Sequence, residues 1–250
     1  MGRRCKTPSF ITEIPLQVDP SQEKILLKRL DAGRKVYNAC LGETLKRLQK
    51  MRDSQAYQSA RAMPAGQPKS KERQARSKAF REVRQHFEFG EYKLHAYAKQ
   101  FGYSWLGDHL DANTVQKIAT RAYNAVNEYA LGKKGKPRFK GPNQFDSVEG
   151  KDNKSGILWR DNKVKWLGLQ LEPLIPDDDK VIEYGLHAPL KYLRIVRRKL
   201  NGRHRFYVQL VNRGRPYQKE ENKLGQGIVG ADLGPSTMGV VSDNGFAILR

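Results

Sequence analysis

The sequence predicts an α+β fold in which a run of helices interrupts a set of strands. Three observations lead there. One apolar strand pattern, Phe10 to Val18, stands alone at the start. From Asp19 to about Leu131 the apolar residues recur at helical spacing. From Phe145 onward the period drops to two, with turn dipeptides between the runs. Strands on both sides of a helical block point to one sheet split in sequence, and a further group of short strands closes the chain. The divisions fall at 1–18, 19–140, 141–224 and 225–250.

In the first strand Ile11, Ile14, Leu16 and Val18 are apolar, and Pro15 argues for an edge position or a bulge, because it has no N–H to give to a ladder. Asp19-Pro20-Ser21-Gln22 reads as a helix start: an acid to cap, Pro at the first helical position and Gln three residues on. The helix should run to about Met51, with Leu26, Leu30, Gly33, Tyr37, Leu41, Leu45 and Leu48 on one face. Gly33 inside that stripe invites a close neighbour. The cations Lys28, Arg29, Arg34, Lys35, Lys46 and Arg47 occupy the other faces, where such charges usually meet water.

Residues 52–70 hold Met63-Pro-Ala-Gly-Gln-Pro68 and many small polar side chains, and are expected to form a flexible loop. Residues 71–88 form a basic helix with Lys71, Arg73, Arg76, Lys78, Arg81 and Arg84 against a thin apolar face. That composition suits either a helix lying on nucleic acid or a solvent-exposed one. The aromatics of residues 89–110 (Phe89, Tyr92, Tyr97, Phe101, Tyr103, Trp105) are expected in the core rather than stacked on bases. Asp111 or Asn113 then caps a helix whose stripe runs from Val115 to Ala130 and which Gly132 ends.

Gly132-Lys-Lys-Gly-Lys-Pro-Arg-Phe-Lys-Gly-Pro142 cannot be helix. Its cations Lys133, Lys134, Lys136, Arg138 and Lys140, the ring of Phe139 and an open backbone fit a phosphate–sugar track better than an ordinary basic linker. After it, Asp161-Asn162 and Asn201-Gly202 each sit between two strand patterns and read as two-residue hairpin turns. In the second hairpin Leu193, Ile195, Phe206, Val208 and Leu210 are expected on an apolar face, with Arg194, Arg197, Arg205 and Gln209 on a basic one.

The final group of strands spans Ile228–Leu233, Thr237–Val241 and Phe246–Leu249, with Gly234-Pro235-Ser236 and Asp243-Asn244-Gly245 as turns. Asp232 is a lone acid in an apolar run. Burying it is costly unless it holds a metal or accepts several hydrogen bonds, and otherwise it caps the following turn.

Composition limits the partners. The formal net charge is +21, from 47 basic and 26 acidic residues, which points to a polyanion. Residues 1–145 contribute 29 of the basic and 13 of the acidic residues, so the first part of the chain is the main electrostatic footprint. No apolar run approaches the roughly 20 residues of a membrane span, and a soluble, cytoplasmic, nucleoid-associated protein is expected. Cys5 and Cys40 form no C-x-x-C pair, so neither a zinc site nor a disulfide framework is expected.

The order of these motifs resembles a known family. The capped helix carries Gly33-Arg-Lys-Val-Tyr-Asn38, and a later helix carries Tyr123-Asn-Ala-Val-Asn-Glu-Tyr129. Gly135-Lys-Pro-Arg-Phe-Lys140, Phe206-Tyr-Val-Gln-Leu-Val211 and Val229-Gly-Ala-Asp-Leu-Gly234 follow. Together they resemble the TnpB (OrfB) proteins of insertion sequences, RNA-guided endonucleases related to type V CRISPR effectors. The resemblance implies a wedge β-barrel split by a helical recognition domain, followed by the first three strands of an RNase H-like (RuvC-like) domain. The implied partners are guide RNA and target DNA. The implied contacts are Lys133, Lys134, Lys136, Arg138, Phe139 and Lys140, with Arg34, Lys35, Arg76, Arg81 and Arg84 from the helices.

Asp232 would be the first catalytic, Mg2+-binding carboxylate. Members of that family go on to supply further acids, and two-metal cleavage needs several. The chain is therefore expected to be a truncated form that binds without cutting. A nuclease-dead repressor is the alternative. Asp232-Leu-Gly-Pro-Ser-Thr also resembles the phosphate loop of actin-like ATPases, a remote third possibility because here it comes last.

Overall fold

A computed structural model describes residues 8–219, 221, 227–242 and 245–249. The chain divides into two units, Met1–Arg215 and Pro216–Arg250. In the first, β1 (Ser9–Gln17) leads into the helices α1 (Pro20–Asp53), α2 (Gln55–Ala62), α3 (Lys71–His86) and α4 (Glu91–Ala98). Two short 3-10 turns, Lys99–Tyr103 and Trp105–Asp108, precede α5 (Ala112–Ala130). The strands β2 (Ser147–Glu149), β3 (Leu158–Arg160), β4 (Lys163–Trp166) and β5 (Leu169–Pro173) follow, then α6 (Lys180–His187) and the hairpin β6 (Leu190–Leu200) and β7 (Arg203–Arg213).

One antiparallel sheet orders these strands β2-β6-β7-β1-β5-β4-β3, and β3 comes back towards β6, curling the sheet into a half-barrel. The strand that precedes the helices thus lies in the middle of the strands that follow them. This corrects the edge position expected from Pro15. β1 pairs with β7 from Ser9↔Arg213 to Pro15↔Tyr207, then with β5 at Leu16↔Pro173 and Gln17↔Glu172. Pro15 sits where one partner ends and the next begins, and its carbonyl accepts from the Leu174 N–H at 2.8 Å.

Helix α1 starts as its sequence dictates. The Asp19 carboxylate accepts from the N–H groups of Ser21 (2.7 Å) and Gln22 (2.9 Å), and the Gln22 side chain accepts from the Asp19 N–H at 3.1 Å. Its buried face, including Leu26, Leu30, Val36, Leu41 and Leu48, shares one core with Val115, Ile118, Ala122 and Val126 of α5 and with Ile14, Leu193, Ile195, Phe206 and Val208 of the sheet. Cys40 lies in that core, and burial pushes its thiol up to about 12. Both hairpin turns form as expected. Asp161 and Asn162 take φ of 53° and 56°, Asn201 and Gly202 take 49° and 78°, and Arg160↔Lys163 and Leu200↔Arg203 close the ladders.

Four expectations are overturned here. Residues 55–62 of the expected loop are the helix α2, which Ser54 caps by accepting from the Tyr57 N–H at 3.2 Å and which buries Ala60. The aromatic cluster is only partly core: Phe89 is buried, but Tyr92, on the outer side of α4, and Tyr103 and Trp105, in the 3-10 turns, are 85 %, 81 % and 53 % exposed. Arg197 is on the apolar face of its hairpin, since it shares the parity of Leu193 and Ile195. It is buried with its guanidinium on Asp146 (3.0 Å) and the Asn143 carbonyl (2.7 Å). The opposite face is not simply basic either: Arg194 is paired with Glu149 at 3.0 Å and Arg198 with Glu13 at 2.7 Å.

The second unit contains β8 (Val229–Leu233), β9 (Met238–Ser242) and β10 (Gly245–Leu249), an antiparallel meander in the order β10-β9-β8. Gly234 donates to the Thr237 carbonyl at 2.8 Å across the first turn. The expected Asp243-Asn244 turn lies outside the described residues.

Candidate nucleic-acid interface

The basic segment after α5 is held by small or polar residues of α1. At Gly33 a Cβ would stand 2.7 Å from the Phe145 ring and 3.4 Å from Ile118, so only glycine lets the chain re-enter the sheet at this height. Five residues further along α1, on another side of the helix, Asn38 acts as a backbone surrogate. Its Nδ2 donates to the Lys140 carbonyl at 2.8 Å, and its Oδ1 accepts from the Lys140 N–H at 2.8 Å. Another turn on, the ring of Phe139 lies over Gly42 and stays 56 % exposed. The Gly33–Asn38 motif and the Gly135–Lys140 motif are therefore two halves of one clamp.

Beside the clamp, α5, the basic segment and the β2/β6 edge enclose a hollow of about 570 Å3. Five cations line it (Lys117, Arg121, Lys134, Lys140 and Arg194) against the carboxylates of Glu128 and Glu149. Glu149 takes Lys117 and Arg194, each at 3.0 Å, and Glu128 takes Lys134 at 2.8 Å. Arg121 donates to the Ser147 carbonyl at 3.3 Å and lies 5.0 Å from the Phe145 ring centre. Lys140 makes no ion pair among the described residues. Part-exposed ion pairs contribute little, about 0–1 kcal/mol each, so an incoming phosphate can share or replace the carboxylates. A net excess of positive charge in a concave, half-screened space is suited to an anion.

The other expected contacts fall elsewhere. Lys133, Lys136 and Arg138 are exposed along the segment, and Arg81 is exposed on α3. Lys35 reaches Asp31 at 3.3 Å and stands 4.5 Å from the Trp105 ring centre. Arg34 is committed to Asp31 (2.8 Å) and the Lys140 carbonyl (3.4 Å). Arg76 lies over Phe80 and reaches the Arg61 carbonyl at 3.4 Å. Arg84 turns inward, donating to the Tyr123 hydroxyl (2.7 Å) and Asn127 (2.9 Å) with its guanidinium 4.7 Å from the Phe89 ring. An arginine on a basic helix reads as a surface charge, but a polar niche on the neighbouring helix captures this one.

Sequence reasoning missed Lys117, Arg121 and Arg194 as site residues. Lys117 and Arg121 lie one turn apart on α5, a spacing that marks a shared helix face. Nothing in the local sequence says that this face meets β6, so the basic hairpin face expected to carry Arg194 gave no sign of where it points.

Asp232 belongs to the second unit. It is exposed and pairs across the meander with Gly239. A Cβ built at its neighbours Gly230 or Gly239 would meet open space. The burial cost expected for this acid therefore does not arise in the meander as described. Among the described residues no group of three or more His, Cys, Asp or Glu side chains could hold a metal ion. Mg2+ takes an octahedron of oxygens, commonly one or two carboxylates with phosphate and water. Asp232 is a single carboxylate, and the described residues do not gather further metal-capable side chains around it.

No family model and no curated protein matches the chain. Among solved structures it is similar to a chain of the Cas12f1–sgRNA–target DNA complex determined by cryo-EM. The identity is 10 % and the TM-score 0.31, over 97 % of this chain and 65 % of that one. It is also similar to a chain of a CRISPR-Cas12f ternary complex, at 12 % identity and a TM-score of 0.26 with the same coverages. The chain thus spans about 65 % of the length of these two proteins. Likeness at such scores does not establish a shared fold. No helix among the described residues is long and apolar enough to cross a membrane.

Proposed function

We propose that this chain binds nucleic acid as the N-terminal part of a TnpB-like RNA-guided DNA endonuclease, holding guide RNA and target DNA by their backbones. The observation that supports this most directly is the five-cation hollow, one wall of which is the basic segment that Asn38 ties to α1. Preorganised cations and exposed backbone N–H groups suit phosphates and carry no sequence information. Sequence readout is then left to base pairing.

In this reading the helices are a recognition domain, the curled sheet is the wedge barrel, and the meander opens an RNase H-like layer. Asp232 would be the first carboxylate to meet Mg2+. Cleavage by two cations needs further acids converging on the same point. In this reading the described residues contribute polyanion binding, and no cluster of three or more metal-ligating side chains forms among them.

The test is fluorescence anisotropy with labelled DNA and RNA across a salt series. Affinity should fall steeply with salt. Replacing Lys133, Lys134, Lys136, Arg138 and Lys140 together by Ala should lower the slope of log K against log salt by about 0.9 for each duplex phosphate that the segment neutralises. An unchanged slope would remove the segment from the interface. Failure of the unmodified chain to bind either nucleic acid would overturn the function itself.

A further inference from the structure

Asn38 and Gly42, which meet the basic segment, lie on the second half of one face of α1. The first half of the same face is open. Lys24, Leu27, Lys28, Asp31 and Lys35 follow one another at helical spacing and form one wall of a groove of about 600 Å3. The facing wall is the pair of 3-10 turns, which contributes Trp105 and His109.

These turns hold Trp105 firmly without burying it. Leu106 and Leu110, which follow it, are 7 % and 2 % exposed, and the Ser104 hydroxyl accepts from the Leu106 N–H at 3.3 Å. Trp105 itself is 53 % exposed and lies outside the core cluster. The largest side chain available is thus spent on a surface position, on an anchored turn, facing a row of lysines. Its neighbours include the Lys35 ammonium, 4.5 Å from its ring centre, and the edge of His109, at 5.9 Å between centroids.

Three lysines, Lys24, Lys28 and Lys35, line the groove against the two carboxylates Glu23 and Asp31, which leaves a small positive excess. Asp31 already receives both Arg34 (2.8 Å) and Lys35 (3.3 Å). Lys24 and Lys28 make no ion pair among the described residues. An indole with a wet face beside unpaired ammonium groups is the combination that takes a nucleobase on the ring and its phosphate on the lysines. A fully paired duplex keeps its bases stacked inside and offers the indole nothing.

We infer that this groove is a site for an unpaired nucleotide, with Trp105 as stacking platform and Lys24 and Lys28 as phosphate contacts. It rests on the reading that the chain binds nucleic acid, and adds that it distinguishes single strands from duplexes at a place separate from the five-cation hollow. Exposed Phe139 lies further along the same face of α1, over Gly42, so a strand leaving the groove has a second ring in its path.

The experiment compares the full chain with Trp105→Ala, Trp105→Phe and the double variant Lys24→Ala/Lys28→Ala. Each is titrated into a short labelled single strand and into the matching duplex at one salt concentration, and each is melted by circular dichroism. Trp105→Ala should weaken single-strand binding about tenfold and leave duplex binding within about twofold. Trp105→Phe should recover most of the loss because a ring remains. The lysine variant should weaken the single strand with no change in melting. Equal loss on both substrates, or no loss on either, would refute the groove as an unpaired-nucleotide site while the broader function stands. If the unmodified chain binds neither substrate, the broader function fails first.

Discussion

The β6–β7 hairpin and the β8–β10 meander are written in much the same sequence style and end in opposite surroundings. In the hairpin Leu193, Ile195, Phe206 and Val208 are at most 3 % exposed, because they share a core with α1 and α5. In the meander Val229, Leu233, Phe246 and Ile248 are between 62 % and 78 % exposed. Register explains the difference in kind. The hairpin has one apolar face. The meander has two: Val229, Leu233 and Met238 share one side, while Val241, Phe246 and Ile248 share the other with Asp232. A sheet apolar on both sides is suited to the middle layer of a fold, where helices or a second sheet cover both faces. Apolar patterning therefore specifies which strands pair, but burial needs a partner layer that the pattern itself does not supply.

The largest expected effect tests that contrast directly. Phe206→Ala should cost about 3–5 kcal/mol in chemical unfolding, the usual range for emptying a packed aromatic site. Phe246→Ala, at a 78 % exposed position, should change stability by no more than about 0.5 kcal/mol. A loss at Phe246 comparable to that at Phe206 would break the comparison. Next in size is Asn38→Ala, which removes both hydrogen bonds to the Lys140 backbone. It should cost about 1–2 kcal/mol and speed tryptic cutting in the basic segment. Unaltered proteolysis would mean the clamp does not hold the segment.

Asp232→Asn should leave unfolding within about 0.5 kcal/mol and nucleic-acid binding nearly intact, since the residue is exposed in the second unit. A large loss of either would give it a structural role. The smallest effect concerns His95 in the first unit. Burial lowers its pKa, with Glu91 acting against that and Lys151 and Lys117 adding to it. The folded state then binds a proton less readily than the unfolded state. Stability should rise with pH through the region just below about 6.5, and the loss on acidification should be complete once pH falls below the folded-state value. Melting temperature measured between about pH 7.5 and pH 5.5 should show this dependence, and His95→Gln should flatten it. A steeper acid loss in the variant would assign the titration to other groups.

Much of the first unit was legible in its residues. Asp19 to Gln22 spell a capping box, and the box forms. Asp161-Asn162 and Asn201-Gly202 tolerate positive φ, and both turn the chain there. Gly33 interrupts an apolar stripe, and a ring occupies the space it leaves. Each of these rests on interactions within a few residues or on the volume of a missing side chain. What escaped has the opposite character. Ser54 is a good cap, but the prolines and glycine further on obscured the helix α2 that it starts. Arg197 and Arg84 are inside because Asp146, Tyr123 and Asn127 were brought to them by distant parts of the chain.

The candidate site divides the same way. Lys134 and Lys140 could be read from the run of cations after α5, while Lys117, Arg121 and Arg194 join them only once α5 crosses β2 and β6. Local sequence determined helix caps, turn types, strand partners within hairpins and the strong positive charge, because those follow from short-range sterics, nearby hydrogen bonds and composition. Tertiary structure alone decided which cations are consumed by internal partners and which converge on open space. That outcome depends on packing between residues far apart in the chain, where a guanidinium is drawn inward only if a polar niche has been assembled to receive it.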